Sequence, residues 1–127
     1  MFEKYALKWT PVWLAIGWLL IVSVIVLSLV RLGPATPGGQ TDKVAHFLAY
    51  GTLMFWYAQI YSAARTRLAI AAGLALMGVG LEIAQSFTDY RTFEYADMAA
   101  NTVGVLGGWL IAPPRIANML LFVERWR

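Results

Sequence analysis

The chain has 127 residues, of which 60% are hydrophobic and only 13% are charged, and its mean hydropathy is +0.62. This composition disfavours a water-soluble globular domain and predicts a compact membrane protein. The sequence contains no cysteine, which excludes disulfides, thiolate nucleophiles and zinc sites built on sulfur. The net charge is +3, but the basic residues are scattered at segment ends, so we expect no nucleic acid partner.

The first apolar segment runs from Pro11 to Val30 and contains no charged residue. Its length matches the roughly 20 residues that a helix needs to cross a hydrocarbon core of about 30 Å. A signal peptide is the alternative, but its apolar core would be only about 7–15 residues long and a small-x-small cleavage site would follow it. No clear site of that kind follows, so we expect a retained helix over about residues 11–30.

Three further apolar segments follow, at about residues 43–61, 68–87 and 95–111. Each is long enough to cross a membrane, or nearly so. Pro113 and Pro114 end the last segment, and the mixed apolar and basic tail 113–127 is typical of a helix lying on the membrane surface. We predict a single domain over residues 1–127: an all-α membrane protein with four transmembrane helices in an antiparallel bundle plus a short C-terminal amphipathic helix.

The basic residues predict the orientation of these helices. If all four segments cross, one side carries Lys4, Lys8, Arg65, Arg67, Arg115, Arg125 and Arg127, and the other carries Arg31, Lys43 and Arg91. Cytoplasmic loops carry the excess of Lys and Arg. We therefore expect both termini to be cytoplasmic.

Polar residues fall at the outer ends of the predicted second, third and fourth helices. The set consists of Asp42, Lys43, His46, Glu82, Gln85, Arg91, Asp97 and Asn101. Within each helix, members three or four positions apart share one face, and Tyr50 continues the face of Asp42 and His46. This set predicts a ligand-binding pocket at the outer membrane face. The alternative is that the residues only hydrogen-bond the helices together.

Glu82 is the member of this set that most needs a partner. An acid in an apolar span costs about 2.5–3.5 kcal/mol at a helix centre, and less near its ends. The candidate partners are Arg91, His46 and Lys43. A protonated Glu82 that is hydrogen-bonded to Asn101 is a further possibility.

Small residues recur at every fourth position of the fourth segment, at Ala96, Ala100, Gly104 and Gly108. Such a strip lets another helix backbone approach closely, so we expect these residues to serve helix packing. A homodimer through the Gly104 strip is one arrangement that would use it.

The ordered polar motifs resemble those of the VanZ-like family, named for the teicoplanin resistance protein VanZ. The similarity rests on "DKVAHFLAYGTL" in the second helix, "GLEIAQSFTDYRTFEYAD" across the third helix and the following loop, and "DMAANTVGVLGG" in the fourth. It covers about residues 42–108. The resemblance implies a multi-pass protein of the bacterial inner membrane with a role in the cell envelope or antibiotic response, and it carries no reaction mechanism.

Functions of three classes fit these residues. In the first, the polar set binds or modifies an envelope lipid or lipid-linked precursor, with Lys43 and Arg91 contacting phosphate or carboxylate. In the second, an intramembrane enzyme acts on a lipid-linked substrate. In the third, the protein is purely structural or binds a partner protein. Four crossings without a visible inverted repeat disfavour an independent transporter.

The enzyme hypothesis assigns roles to four residues. His46 would be the general base, held by Asp42 or Asp97, and Glu82 would be the acid. The catalytic candidates are therefore His46, Glu82 and Asp97. One histidine with two distant acids is a poor metal signal, so we predict neither a metal nor a cofactor.

Overall fold

Five helices make up most of the described chain. The computed structural model describes residues 4–29, 40–87 and 95–126, and for residues 40–42 it describes the backbone only. The helices are α1 (Thr10–Leu29), α2 (Gln40–Ile60), α3 (Ala64–Ser86), α4 (Tyr95–Leu110) and α5 (Met119–Arg125). In these ranges the β structure consists of an isolated bridge between Lys4 and Tyr61. The predicted all-helical fold is therefore confirmed for the described residues.

Three helices begin earlier than the apolar pattern predicts, because polar residues before each apolar run belong to the helix. α1 begins at Thr10, directly before Pro11, whose fixed φ and missing N–H suit the first turn. α2 and α3 begin at Gln40 and Ala64, three and four residues earlier than the apolar pattern predicts. Arginine has nearly the helix propensity of leucine, so the basic link before residue 68 continues as helix.

The tail is helical over a shorter stretch than predicted, because α5 has only seven residues. Asn118 precedes α5, and its side-chain oxygen accepts hydrogen bonds from the backbone N–H groups of Leu120 and Leu121, at 3.0 and 3.1 Å. This cap satisfies two donors that a helix start otherwise leaves unpaired. The start of α5 is therefore set by Asn118.

Two of the helices, α1 and α3, are long and apolar enough to cross a membrane. α2 has 21 residues but begins with the polar sequence "QTDK", and α4 has only 16 residues. A crossing helix needs about 20 predominantly apolar residues. Membrane-helix character is thus supported for two helices, and four crossings remain a prediction.

α4 lies directly along α2, and glycines allow the close approach. A Cβ at Gly104 would overlap the carbonyl oxygen of Phe47, and one at Gly108 would overlap the carbonyl oxygen of Gly51. A Cβ at Gly51 would in turn lie 3.1 Å from the carbonyl oxygen of Gly104. The two backbones therefore touch without side chains between them, as small-xxx-small strips permit.

The core lies around α2. Its residues Tyr50, Leu53, Met54 and Ala58 are buried and pack with buried side chains of α3 and α4. α2 also contacts α1 and α5. Polar side chains at either end of α2 are therefore held between helices.

Arg67, near the start of α3, joins separate parts of the chain. Its buried guanidinium donates hydrogen bonds to the carbonyl oxygens of Ala58 (2.7 Å), Tyr61 (2.8 Å) and Pro113 (2.7 Å), and to the hydroxyl of Tyr5 (3.1 Å). We call these five residues the Arg67 network. It ties the N-terminal segment, the link between α2 and α3, and the segment after α4 to one side chain.

Glu124 of α5 fixes the N-terminal segment in a second way. Its buried carboxylate accepts hydrogen bonds from the backbone N–H groups of Lys8 (2.7 Å) and Trp9 (3.0 Å) and from the indole of Trp13 (2.7 Å). Burial alone raises the pKa of Glu124, but these hydrogen bonds and the nearby charge of Lys8 outweigh it. The pKa of Glu124 is therefore lowered from its ordinary value of 4.5.

The variant Glu124→Gln is expected to lower the melting temperature in a pH-dependent manner. Because the folded-state pKa is depressed, the stabilisation is fully present above the unfolded-state pKa near 4.5 and is lost as the pH falls through the folded-state value. The difference in melting temperature between wild type and variant should stay constant at neutral pH and shrink below pH 4.5. Thermal unfolding in detergent at a series of pH values measures it.

The exposed neighbour Arg125 provides the control for this series. Arginine stays charged throughout the range, so the effect of Arg125→Gln should not follow the same pH profile. A difference for Glu124→Gln that grows toward acid pH would contradict the assignment.

Candidate functional site

α4 carries two buried polar residues, Asp97 and Asn101, four positions apart and hence on one face. Asp97 lies in the first turn of α4, where the free N–H groups of the helix favour a negative charge. Asn101 packs against α3, where a Cβ at Gly78 would lie only 2.8 Å from its Nδ2 atom. A glycine on α3 therefore makes room for the Asn101 amide.

His46 of α2 faces both of these residues. Its Nδ1 lies 2.9 Å from Asn101 Oδ1, and its Nε2 lies 4.0 Å from Asp97 Oδ2. An amide oxygen only accepts hydrogen bonds, so this orientation of the Asn101 amide assigns the proton of neutral His46 to Nδ1. The lone pair is then on Nε2, toward the carboxylate.

Lys43 lies one turn before His46 and contacts the same carboxylate. Its Nζ is 3.9 Å from Asp97 Oδ1. The Lys43 side chain is 31% exposed, whereas the Asp97 side chain is 5% exposed. Asp97 thus lies between a lysine and a histidine, and the lysine is the member that is accessible from outside.

α3 contributes Glu82 and Gln85, both buried. The Gln85 amide donates a 2.6 Å hydrogen bond to the carbonyl oxygen of Ser28, which ties α3 to the end of α1. Glu82 is only 1% exposed and lies within electrostatic range of Tyr50 on α2. Burial of two acids at one end of the bundle is costly in an apolar environment, which distinguishes this end from an ordinary helix contact.

We call these six side chains the polar cluster: Lys43, His46, Glu82, Gln85, Asp97 and Asn101. Contacts join Lys43, His46, Asp97 and Asn101 directly. Two predicted members, Arg91 and the side chain of Asp42, lie outside the described residues. These contacts join residues of α2 and α4, and α3 contributes the buried Glu82 and Gln85. The ligand-binding role of the set stays a prediction.

The four residues of the small strip are not equivalent. Gly104 and Gly108 are buried against α2 of the same chain, Ala100 is half-buried, and Ala96 is exposed. The Gly104 face is thus occupied by an internal neighbour. A homodimer stays a prediction.

Two cavities, of about 770 and 290 Å³, are lined by other residues than the polar cluster: the larger lies beside α4 and the smaller between α1 and α2. In the described ranges, no three His, Cys, Asp or Glu side chains are grouped so that they could hold a metal ion. The contacts of the cluster are therefore those of charge pairing around Asp97, with Lys43 as its half-buried, accessible cation.

Sequence reasoning missed the polar residues at the other end of the bundle. Arg67 was assigned only as a cytoplasmic charge, and Glu124 and the buried Gln59 were not singled out. Gln59 accepts a 2.7 Å hydrogen bond from the backbone N–H of Met119 through its side chain. One signal was present, because Glu124 is the single acid in the otherwise basic and apolar tail 113–127.

Comparisons with known proteins agree with the polar motifs. The sequence profile of the VanZ/LLP1 family matches residues 4–123. The chain is also similar to an uncharacterized protein of Schizosaccharomyces pombe, with 34% identity over 87 residues that form 66% of this chain and 54% of the yeast protein. The chain thus spans about half the length of this curated relative. No solved structure gives a significant match.

Proposed function

The chain belongs to the VanZ/LLP1 family, and from this premise we propose that it is a membrane protein whose polar cluster binds the anionic headgroup of a membrane lipid or lipid-linked envelope precursor. In this proposal all four helices α1 to α4 cross the membrane, both termini are cytoplasmic, and the cluster faces outward. A 16-residue helix such as α4 rises about 24 Å, a little less than the hydrocarbon core. Its close packing along α2 supports a crossing at this length.

The observation that carries the proposal is the position of Asp97 between Lys43 and His46. The Lys43 side chain is 31% exposed, so an incoming phosphate or carboxylate can approach its ammonium group. The hydrogen bond between Asn101 and His46 orients the imidazole beside the same carboxylate. Asp97 offsets the positive charge of Lys43 when the site is empty.

The proposed class of ligand, an anionic headgroup, is inferred from the charges of the polar cluster and does not require a particular host organism. The yeast relative means that similarity to this chain extends to a eukaryote. An anionic headgroup is available in any membrane. In a bacterial host the same site would accept a lipid-linked envelope precursor, and a link to glycopeptide response would follow from that binding.

Native mass spectrometry of the full chain, purified gently from its own membrane, tests the proposal. We expect a co-purifying anionic lipid or lipid-linked precursor in the wild type and a roughly tenfold loss in Lys43→Gln, because a hydrogen bond to a charged group contributes about 1.5–3 kcal/mol. Arg65→Gln is the matched control, since Arg65 is an exposed basic residue on α3 far from the cluster. Equal retention by both variants would contradict headgroup binding and favour a purely structural or partner-binding role.

An intramembrane enzyme is the second candidate, because His46 lies between Asn101 and the buried carboxylate of Asp97. In such an enzyme His46 would be the general base and Asn101 would orient its ring. In an enzyme, His46→Gln should retain the lipid-linked substrate but abolish its turnover. If the cluster only binds the ligand, the same variant should still bind it, and no turnover of the lipid-linked substrate should be detected in the wild type either.

A further inference from the structure

A groove of about 770 Å³ runs beside α4, away from the polar cluster. One wall is Phe47 of α2, the floor is the face of α4 from Val103 to Leu110, and one end is closed by the segment 112–115 that follows α4. We call it the α4 groove. Arg67 lies at this closed end and donates a hydrogen bond to the carbonyl oxygen of Ala58. Ala58 follows His46 by twelve residues on α2, so the closed end of the groove lies roughly 18 Å from the polar cluster.

The walls of the α4 groove are apolar and accessible. Val103, Leu106 and Leu110 are between 55% and 58% exposed, and the Phe47 ring is also exposed. Gly107 lies between them and contributes no side chain, which leaves the groove open. Exposed aliphatic and aromatic side chains of this kind suit acyl chains better than a soluble ligand.

The closed end of the α4 groove carries two positive charges, Arg67 and Arg115. The guanidinium of Arg67 bonds three backbone carbonyls and one hydroxyl, all of them neutral. Arg115 is exposed and donates to the carbonyl oxygen of Leu110 at 3.1 Å. Within the described ranges neither arginine forms an ion pair with a carboxylate. An apolar groove that ends in two such cations complements a phospholipid with an anionic headgroup.

We propose that the α4 groove binds one anionic phospholipid, with acyl chains along α4 and the headgroup phosphate at the exposed Arg115, beside the buried positive charge of Arg67. The proposal rests on the membrane insertion argued above and on the cytoplasmic position of these arginines, where anionic lipids are concentrated. It does not depend on what the polar cluster binds. The lipid would fill the space between α4 and the segment after it.

Competition between two lipids tests the proposal on the full-length chain in detergent. The protein is incubated with equal amounts of phosphatidylglycerol and phosphatidylcholine, washed and extracted, and the retained lipids are quantified. We expect the wild type to retain phosphatidylglycerol preferentially. Arg115→Gln should reduce that preference about fivefold, the factor for one basic residue near an anionic surface, and Arg65→Gln should not reduce it.

A second variant tests the groove itself without changing a charge. A Cβ at Gly107 would contact the Phe47 ring at 3.7 Å, an ordinary distance, so the longer side chain of Gly107→Leu would extend into the groove. We expect this variant to lose retained phosphatidylglycerol. The loss caused by Gly107→Leu should be the same in the wild type and in the Lys43→Gln background, which separates this site from the polar cluster.

Three results would overturn the proposal. The first is a wild type that retains both lipids equally. The second is an equal loss in Arg65→Gln and Arg115→Gln, which would indicate general surface charge. The third is unchanged retention in Gly107→Leu while its melting temperature matches the wild type, because the lipid would then lie outside the groove.

Discussion

Gly104→Ala is expected to destabilise the protein by about 2 kcal/mol or more, although alanine is the better helix former. In an exposed helix position, glycine to alanine would stabilise by about 1 kcal/mol. At Gly104 the added methyl group would overlap the carbonyl oxygen of Phe47, which is backbone of α2 and has no other rotamer to adopt. Overpacking of this kind costs about 1–3 kcal/mol, and separating the two helices would also disturb the polar cluster nearby.

Gly73 and Gly80 of α3 provide matched controls for this prediction. No described atom of another segment lies within 4 Å of a Cβ at either position. Gly73→Ala and Gly80→Ala should therefore stabilise slightly, while Gly104→Ala and Gly108→Ala destabilise. Unfolding in mixed micelles with increasing SDS measures all four. A neutral Gly104→Ala would mean that α2 and α4 are not in backbone contact.

The existence of the helices and the polar cluster could be predicted, because both follow from local spacing. Residues three or four apart share a helix face, so Asp97 and Asn101 had to lie together once α4 was assigned. For these residues to contact His46, the polar ends of α2 and α4 only had to lie at the same depth in the helix bundle. α2 and α4 run parallel, with Gly104 against Phe47 and Gly108 against Gly51, so their first turns lie at that depth.

The partners across helices could not be predicted, since they depend on packing that the spacing does not encode. The sequence left four candidate partners open for Glu82. Gln85 lies one turn away on the same helix, and its amide donates a hydrogen bond to the backbone of Ser28 on α1, a partner that its spacing does not indicate. The small strip at Gly104 suggested a close approach but did not say that α2 would occupy it. Arg67 was assigned as a basic residue of the link before the third apolar segment, and only the fold supplies the carbonyls that bury it.

The largest loss of stability is expected from Arg67→Met. The methionine would fill part of the space but would leave the carbonyl oxygens of Ala58, Tyr61 and Pro113 without their donor. A buried acceptor that loses its partner costs about 1–3 kcal/mol, so the three together predict a loss of at least about 3 kcal/mol. Arg65→Met, two residues earlier and exposed, should change stability by less than about 0.5 kcal/mol.

Arg67→Lys separates the charge of Arg67 from its shape. A lysine keeps the positive charge, but its compact ammonium group cannot reach acceptors on separate segments as the planar guanidinium does. We therefore expect Arg67→Lys to recover less than half of the lost stability. Hydrogen exchange should rise in residues 4–9 and 112–126, which the Arg67 network and Glu124 hold, and remain slow around His46. If Arg67→Lys were as stable as the wild type, charge alone would explain the burial, and the three carbonyl contacts would contribute little to holding the segments together.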